Sequence, residues 1–456
     1  MAALVDVSQP FSLGLFGLAV LLTWTLVHTI YSILKDPLRG IPGPLISRFS
    51  SIIERWYLIT GDEMLWIHSL HSKYGNLISS RNIGLNTEFC SRLLVLGPVV
   101  RINPTTVSLA DPDDVRVITR PSYPLRKAEV YEKMQPGIIT ERDPKLHAQK
   151  RRRFGHQLSN TETAKFEPFV PQLFEDVQAG LGEVVFSSNF PLLFRIRNIF
   201  RPTMLSADNP DGMFAFGRNS LVQYKKELET HGETKPTFFS KIMLDPDLQG
   251  LSMAQVEQEA NEFMFAGSDT TSTSLVYLVW EVIRNPEVKK RVLEDLSKLP
   301  EDWTDADLLQ LPYFTGVIHE TLRLWGSAAG PLRRCVPTKA IESQGYVIPP
   351  GTELSLQSYT LHRSPKVFSE PERFLPERWI NATKEMWDTN WAWGYGTRVC
   401  LGIHLATQEM RLAAAALFRK FPNIRLEDEA SAARDMRVKN FLVNSPTGKK
   451  LMVLTH

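Results

Sequence analysis

The stretch Trp393-Gly394-Tyr395-Gly396-Thr397-Arg398-Val399-Cys400-Leu401-Gly402 places one cysteine between glycines, directly before a strongly helical run at 405–418. A thiol there is a candidate thiolate. Unpaired backbone N–H groups and the positive end of a helix lower a thiol pKa, and Arg398 adds a cation nearby. Gly396 and Gly402 leave the backbone bare on either side of the sulfur, as a flat ligand lying against the loop requires. Haem meets that description, and an axial thiolate pushes electron density onto iron and favours O–O cleavage. A small buried cysteine in a strand-to-helix turn is the plainer alternative, so the rest of the chain must decide.

The loop resembles the haem-binding loop of the cytochrome P450 family, Phe-x-x-Gly-x-Arg-x-Cys-x-Gly, and matches it at Gly396, Arg398, Cys400 and Gly402. Trp393 stands where the family usually has phenylalanine, and an aromatic there still packs beside the sulfur. The resemblance implies a mainly α fold with a small β-rich part and a haem b whose iron Cys400 ligates. It also implies monooxygenase chemistry driven by electrons from NADPH. These would come through a cytochrome reductase, with cytochrome b5 as a second donor.

Ser252-Met253-Ala254-Gln255 reads as a capping box opening a helix that runs to Pro286, roughly 50 Å at ~1.5 Å per residue. At its centre lies Ala266-Gly267-Ser268-Asp269-Thr270-Thr271. Small, hydroxyl and acidic residues weaken a helix, so a loop between two shorter helices is the bland alternative. The functional reading is that Ala266 and Gly267 let a ligand approach the backbone, while the Thr270 hydroxyl competes for an intrahelical carbonyl and opens a groove for dioxygen. Asp269 and Thr270 then relay protons so that one oxygen leaves as water. This is similar to the acid–alcohol pair in the family's long distal helix.

Other stretches gain meaning from the same resemblance. His147 and Arg151, at i and i+4 in a basic helix starting near Asp143, resemble an aromatic-x-x-x-Arg pair that contacts a haem propionate. Arg334, in Pro331-Leu332-Arg333-Arg334, falls where the family supplies another propionate contact, and Arg398 is a further one. Glu320 and Arg323 resemble the Glu-x-x-Arg element, and Arg373 in Pro371-Glu372-Arg373-Phe374 the second arginine, of a buried ion network behind the haem loop. The basic run 150–153 suits docking of an acidic electron donor. A small hairpin is expected at 345–358, around Pro349-Pro350-Gly351.

With 52 basic against 50 acidic residues, nothing argues for nucleic acid. Cys90, Cys335 and Cys400 lie far apart, which provides neither a disulfide framework nor a zinc knuckle, and Cys-x-x-Cys-His is absent. Residues 11–34 carry no full charge, and about 20 apolar residues suffice to span a membrane. No basic segment precedes this run, which separates it from a signal peptide, and Lys35 and Arg39 follow it. The expected organisation is a lumenal terminus at 1–10, a single-pass anchor at 11–34 in the endoplasmic reticulum membrane, a proline-rich hinge at 35–48 and a cytosolic catalytic domain at 49–456. The sequon Asn381-Ala382-Thr383 is then a chance match.

Two stretches depart from the family pattern. Residues 76–97 look inserted, and the region from about 159 to 252 looks shorter than the helices the family places there. The resemblance implies oxidation of a small apolar substrate, and the basic helix and Trp393 look closest to fungal enzymes of secondary metabolism. Two rivals remain: an oxygen-independent haem-thiolate isomerase or dehydratase, against which the Asp269-Thr270 pair argues, and a non-catalytic haem-binding membrane protein produced by the altered middle.

Overall fold

A computed structural model describes residues 16–20, 23–24, 27, 35–83, 97–120, 125–134, 137–155, 158–159, 213–232 and 252–455. The anchor expected at 11–34, the insertion beyond residue 83 and most of the shortened region lie outside the described residues. Among the described residues no helix is long and apolar enough to cross a membrane.

In chain order the helices that matter here are α1 (Ile52–Thr60), α2 (Glu63–Ile83), α3 (Pro112–Ile118), α4 (Pro144–Gly155), α5 (Met213–His231), α6 (Met253–Arg284), α7 (Pro286–Leu296), α8 (Pro312–Trp325) and α9 (Ile403–Lys420). The strands are β1 (Val99–Arg101), β2 (Thr106–Leu109), β3 (Arg126–Lys127), β4 (Pro331–Cys335), β5 (Ile341–Ser343), β6 (Tyr346–Ile348) and β7 (Glu353–Gln357). A five-stranded sheet runs β1-β2-β7-β4-β3, with β2 and β7 parallel and the other pairs antiparallel. The expected mainly helical fold with a small β part is therefore present. The hairpin lies earlier than expected: β5 and β6 pair through Gln344 and Gly345, both at positive φ, while β7 joins the larger sheet.

The long helix α6 is continuous over 32 residues and opens with the expected reciprocal capping box between Ser252 and Gln255. Its hydroxyl-rich centre does not break it, because the hydroxyls bond back to carbonyls four residues earlier: Thr270 to Ala266 at 2.6 Å, Ser272 to Ser268 at 2.7 Å and Ser274 to Thr270 at 2.9 Å. Apolar residues at helical spacing then bury its second half. Leu275, Leu278 and Val282 share one core with Phe314, Val317 and Leu322 of α8 and Met410, Ala414 and Phe418 of α9. Helix α9 is thereby fixed against α6, and the cysteine loop at its N-terminus is fixed with it.

The segment expected as a hinge is packed on the sheet. Leu38 and Ile41 are buried beside Val99, Leu354 and Leu356, Arg101 pairs with Asp36, and Arg101 N–H donates to the Pro42 carbonyl at 2.7 Å. A β-carbon at Gly43 would lie 2.3 Å from the Arg101 carbonyl oxygen, so glycine is what allows the approach.

The ion network behind the loop differs from expectation in one member. Arg323 and Glu320 are fully buried and joined by two bonds of 2.8 Å. The second arginine on Glu320 is Arg378, at 3.0 Å, with the Trp379 indole at 2.9 Å. Arg373 is exposed and, among the described residues, pairs with Glu370 alone, offering Arg323 nothing but its backbone carbonyl. The chain contains two Pro-Glu-Arg triplets, at 371–373 and 376–378, and packing selects the second. A separate buried cluster gathers Glu54, Glu63 and Glu353 around Arg333, tying α1 and α2 to the sheet.

Candidate active site

Local backbone geometry shapes the cysteine loop. Gly394 and Gly396 take φ of +74° and +63°, the left-handed region that glycine enters without strain. A 3-10 turn at Gly396–Arg398 follows, and Cys400 N–H returns to the Trp393 carbonyl at 2.8 Å. A β-carbon at Gly396 would lie 2.5 Å from the Thr119 carbonyl oxygen, so this glycine serves the turn and its packing on the end of α3 rather than ligand approach. Gly402, the N-cap of α9, has open space where a β-carbon would stand. Trp391 stacks on Tyr395 at 4.9 Å and joins the loop to the sheet core, while Trp393 packs against the helical core.

The Cys400 side chain is accessible, yet burial is the main influence on its thiol and holds it above the ordinary pKa. Both statements hold together when the sulfur faces a void inside the protein. The Gly402 N–H and a cation pull the pKa down as expected, but less than burial raises it. That cation is Arg151 and not Arg398: Arg151 donates to the Val399 carbonyl at 2.5 Å, whereas Arg398 turns away to the Glu141 carbonyl at 2.8 Å. On the distal helix, Gly267 is exposed in mid-helix and a β-carbon there would meet nothing within 4 Å. Asp269 is 1% exposed, burial raises its carboxyl to about 6, and neither oxygen has a hydrogen-bond partner among the described residues.

At one end of the site the cations gather. Strand alternation sends Arg333 into its carboxylate cluster and leaves Arg334 for the other face. There it pairs in register with Lys127 of β3 and lines a cavity with Arg398, Leu125, Leu332, Leu356 and Tyr395. Burial, then Arg334 and Arg398, push Lys127 down to about 7, while burial and Arg334 bring Arg398 to about 10. Buried His147 falls to about 3, chiefly from burial and then from Arg398 and Lys127, so its imidazole is neutral. Glu141, Asp143 and Glu262 offset only part of this repulsion. The cluster is short of negative charge.

An accessible cysteine beside the bare Gly402, a bare distal Gly267 and an anion-hungry cluster together fit a flat, iron-bearing, dicarboxylate ligand, which describes haem. The structure brings Cys400, Gly402, Arg334, Arg398, His147 and Arg151 to one side and Ala266, Gly267, Asp269 and Thr270 to the distal helix. Sequence reasoning missed Lys127, which sits in a two-residue strand with no motif around it. The basic run also differs from expectation: Lys150 turns inward to Glu259 and Glu141, leaving Arg152 and Arg153 exposed.

Comparison with known proteins agrees with this geometry. The cytochrome P450 family profile matches residues 153–452. The cytochrome P450 monooxygenase tazI of Aspergillus terreus is 30% identical over 500 residues, covering 96% of this chain and 98% of the relative. The cytochrome P450 monooxygenase orf2 of Aspergillus niger is 28% identical over 493 residues, covering 95% and 96%. A crystal structure of the cytochrome P450DA heme domain superposes with a TM-score of 0.66 at 19% identity, covering 91% of this chain and 96% of that one, which shows the same fold. The chain belongs to the cytochrome P450 family. It is a haem monooxygenase of the fungal type.

Proposed function

We propose that this protein inserts one atom of dioxygen into a small apolar substrate in a secondary-metabolite pathway, the other atom leaving as water with electrons from NADPH. The observation that carries the reading is the accessible Cys400, on the loop that leads into α9, a helix packed in one core with α6, which bears Gly267 and Thr270. When bound, haem supplies the redox centre at which dioxygen is split, its iron held by the Cys400 thiolate. Arg334, Arg398, His147 and Lys127 hold the propionates, and Arg151 braces the cysteine loop and supports the thiolate. Replacing Lys127 by methionine removes one charge-assisted contact, and haem loss to an apo-haemoprotein acceptor is expected to accelerate on the order of 10- to 100-fold. An unchanged rate would take Lys127 out of the site.

Proton delivery falls to Asp269 and Thr270. Burial holds the Asp269 carboxyl at about 6, so it is protonated below that pH, ionised above it, and exchanges a proton readily near neutrality. The Thr270 hydroxyl, on the next residue of the helix and bonded to the Ala266 carbonyl at 2.6 Å, is the partner that passes the proton on. For Asp269→Asn, product formation is expected to fall about 10²-fold and the limb of the pH profile near 6 to vanish. Thr270→Ala should keep consuming NADPH while releasing hydrogen peroxide instead of product. Full, coupled turnover in both variants would contradict the assignment. Conversion of substrate without NADPH and dioxygen would favour the isomerase or dehydratase reading.

Electrons arrive from an NADPH–cytochrome reductase, with cytochrome b5 as a second donor. Arg152 and Arg153 are exposed on α4, whose Arg151 touches the cysteine loop, giving an acidic donor a basic edge near the thiolate. The chain is anchored in the endoplasmic reticulum membrane through 11–34 with its catalytic part in the cytosol. Support comes from the uncharged apolar run and from Leu45, Ile46, Phe49, Ile52 and Trp56, an exposed apolar set that follows it closely.

A further inference from the structure

The turn at 137–140 is gripped from two sides. From α6, Glu259 Oε2 accepts the Ile138 N–H at 3.0 Å, Glu262 Oε2 accepts the Ile139 N–H at 2.8 Å, and the Thr140 hydroxyl donates to Glu262 Oε1 at 3.3 Å. From the cation cluster, Lys127 donates to the Ile139 carbonyl and Arg398 to the Glu141 carbonyl at 2.8 Å. Gly137 makes the grip possible, since a β-carbon there would lie 2.2 Å from the Glu262 carboxyl carbon. Ile138 is buried with Phe154, Val256 and Ala260, while the neighbouring Ile139 keeps 38% of its surface accessible. Residues 262, 266 and 270 recur every four positions and share one helix face. The turn therefore sits about 6 Å along α6 from Ala266, on the face that carries Thr270.

We propose that Glu262, with Glu259 beside it, is a positioning residue for the substrate: it clamps the 137–140 turn onto the distal helix so that Ile139 forms an apolar wall of the cavity over Ala266 and Gly267. This rests on the monooxygenase reading of that cavity. The groups that face Glu262 are Glu259 on its own helix, Lys150 on α4, Lys127 on β3, and Thr140 with the Ile139 N–H from the turn. Burial, with Glu259 adding to it, raises its carboxyl to about 7. Relative to an opened turn, where the carboxyl has its ordinary pKa of 4.5, the clamp is strongest with the proton on and weakens as pH rises toward 7.

The test is hydrogen exchange of the 137–140 amides in the full-length holoprotein. Glu262→Ala should lose about tenfold or more of their protection, while Glu262→Gln, which mimics the protonated acid, should retain it. Gly137→Ala, whose β-carbon pushes the Glu262 carboxyl group off the turn without removing it, should lose it as well and serves where the alanine variant folds poorly. After correction for intrinsic exchange, wild-type protection should fall between pH 5 and 7 by up to about tenfold per unit, and Glu262→Gln should be flat. Two iron-ligating probes read the wall: Ile139→Ala and Glu262→Ala should each shift 4-phenylimidazole affinity about tenfold and leave imidazole unchanged. Full protection in Glu262→Ala and Gly137→Ala, or equal shifts for both probes, would overturn the proposal. Absence of a thiolate-type carbon-monoxide spectrum in the wild type would instead count against the monooxygenase reading, with the exchange result still deciding the clamp.

Discussion

Arg378→Ala will accumulate little folded protein, while Arg373→Ala will match the parent in yield and thermal midpoint. Both arginines end a Pro-Glu-Arg triplet, so sequence treats them alike. In the fold, Arg378 is one of four donors on a fully buried carboxylate: Glu320 also accepts from Arg323, from the Trp379 indole and from the Leu375 N–H at 2.9 Å. Burial alone would raise the Glu320 pKa, yet Arg323 and Arg378 hold it below the ordinary value. Removing one partner of such a buried set costs about 3–5 kcal/mol, a large part of the ~5–15 kcal/mol by which a domain is stable. Among the described residues Arg373 reaches Glu370 alone, and both side chains are solvated. Thermal unfolding and holoprotein yield of the two variants check this. Equal damage from both would return Arg373 to the network.

Cys400→Ser will abolish substrate oxidation to background without unfolding the chain. The side chain is accessible, so an oxygen in place of sulfur disturbs little packing, and the backbone bond from residue 400 to the Trp393 carbonyl is unaffected. The thiolate is lost, and with it the electron donation that favours O–O cleavage. Activity with a turned-over substrate and thermal unfolding of the apoprotein separate the two effects. A serine variant that still oxidises substrate would remove Cys400 from the reaction.

What was legible in the sequence was local. The glycines around Cys400, the capping box at Ser252 and the hydroxyl run at 266–271 each fix backbone geometry within a few residues, and the structure has the corresponding turn, cap and continuous helix. What was not legible depends on distant partners. Choosing Arg378 over Arg373 requires knowing which triplet faces α8. Arg333 and Arg334 are adjacent, and only the pairing of β4 sends one to Glu54, Glu63 and Glu353 and the other to Lys127. Lys127 and Glu262 carry no motif, and their meaning comes from what the turn at 137–140 brings between them. The thiol of Cys400 was expected low on local grounds, and burial by the whole fold outweighs the helix end and the cation.

Reduction of the full-length protein in recombinant membranes, followed by carbon monoxide, reads the iron ligand directly. A strongly red-shifted Soret band in the wild type, lost in Cys400→Ser, is the predicted result. An unshifted band, or no bound haem at all in the wild type, would contradict the account.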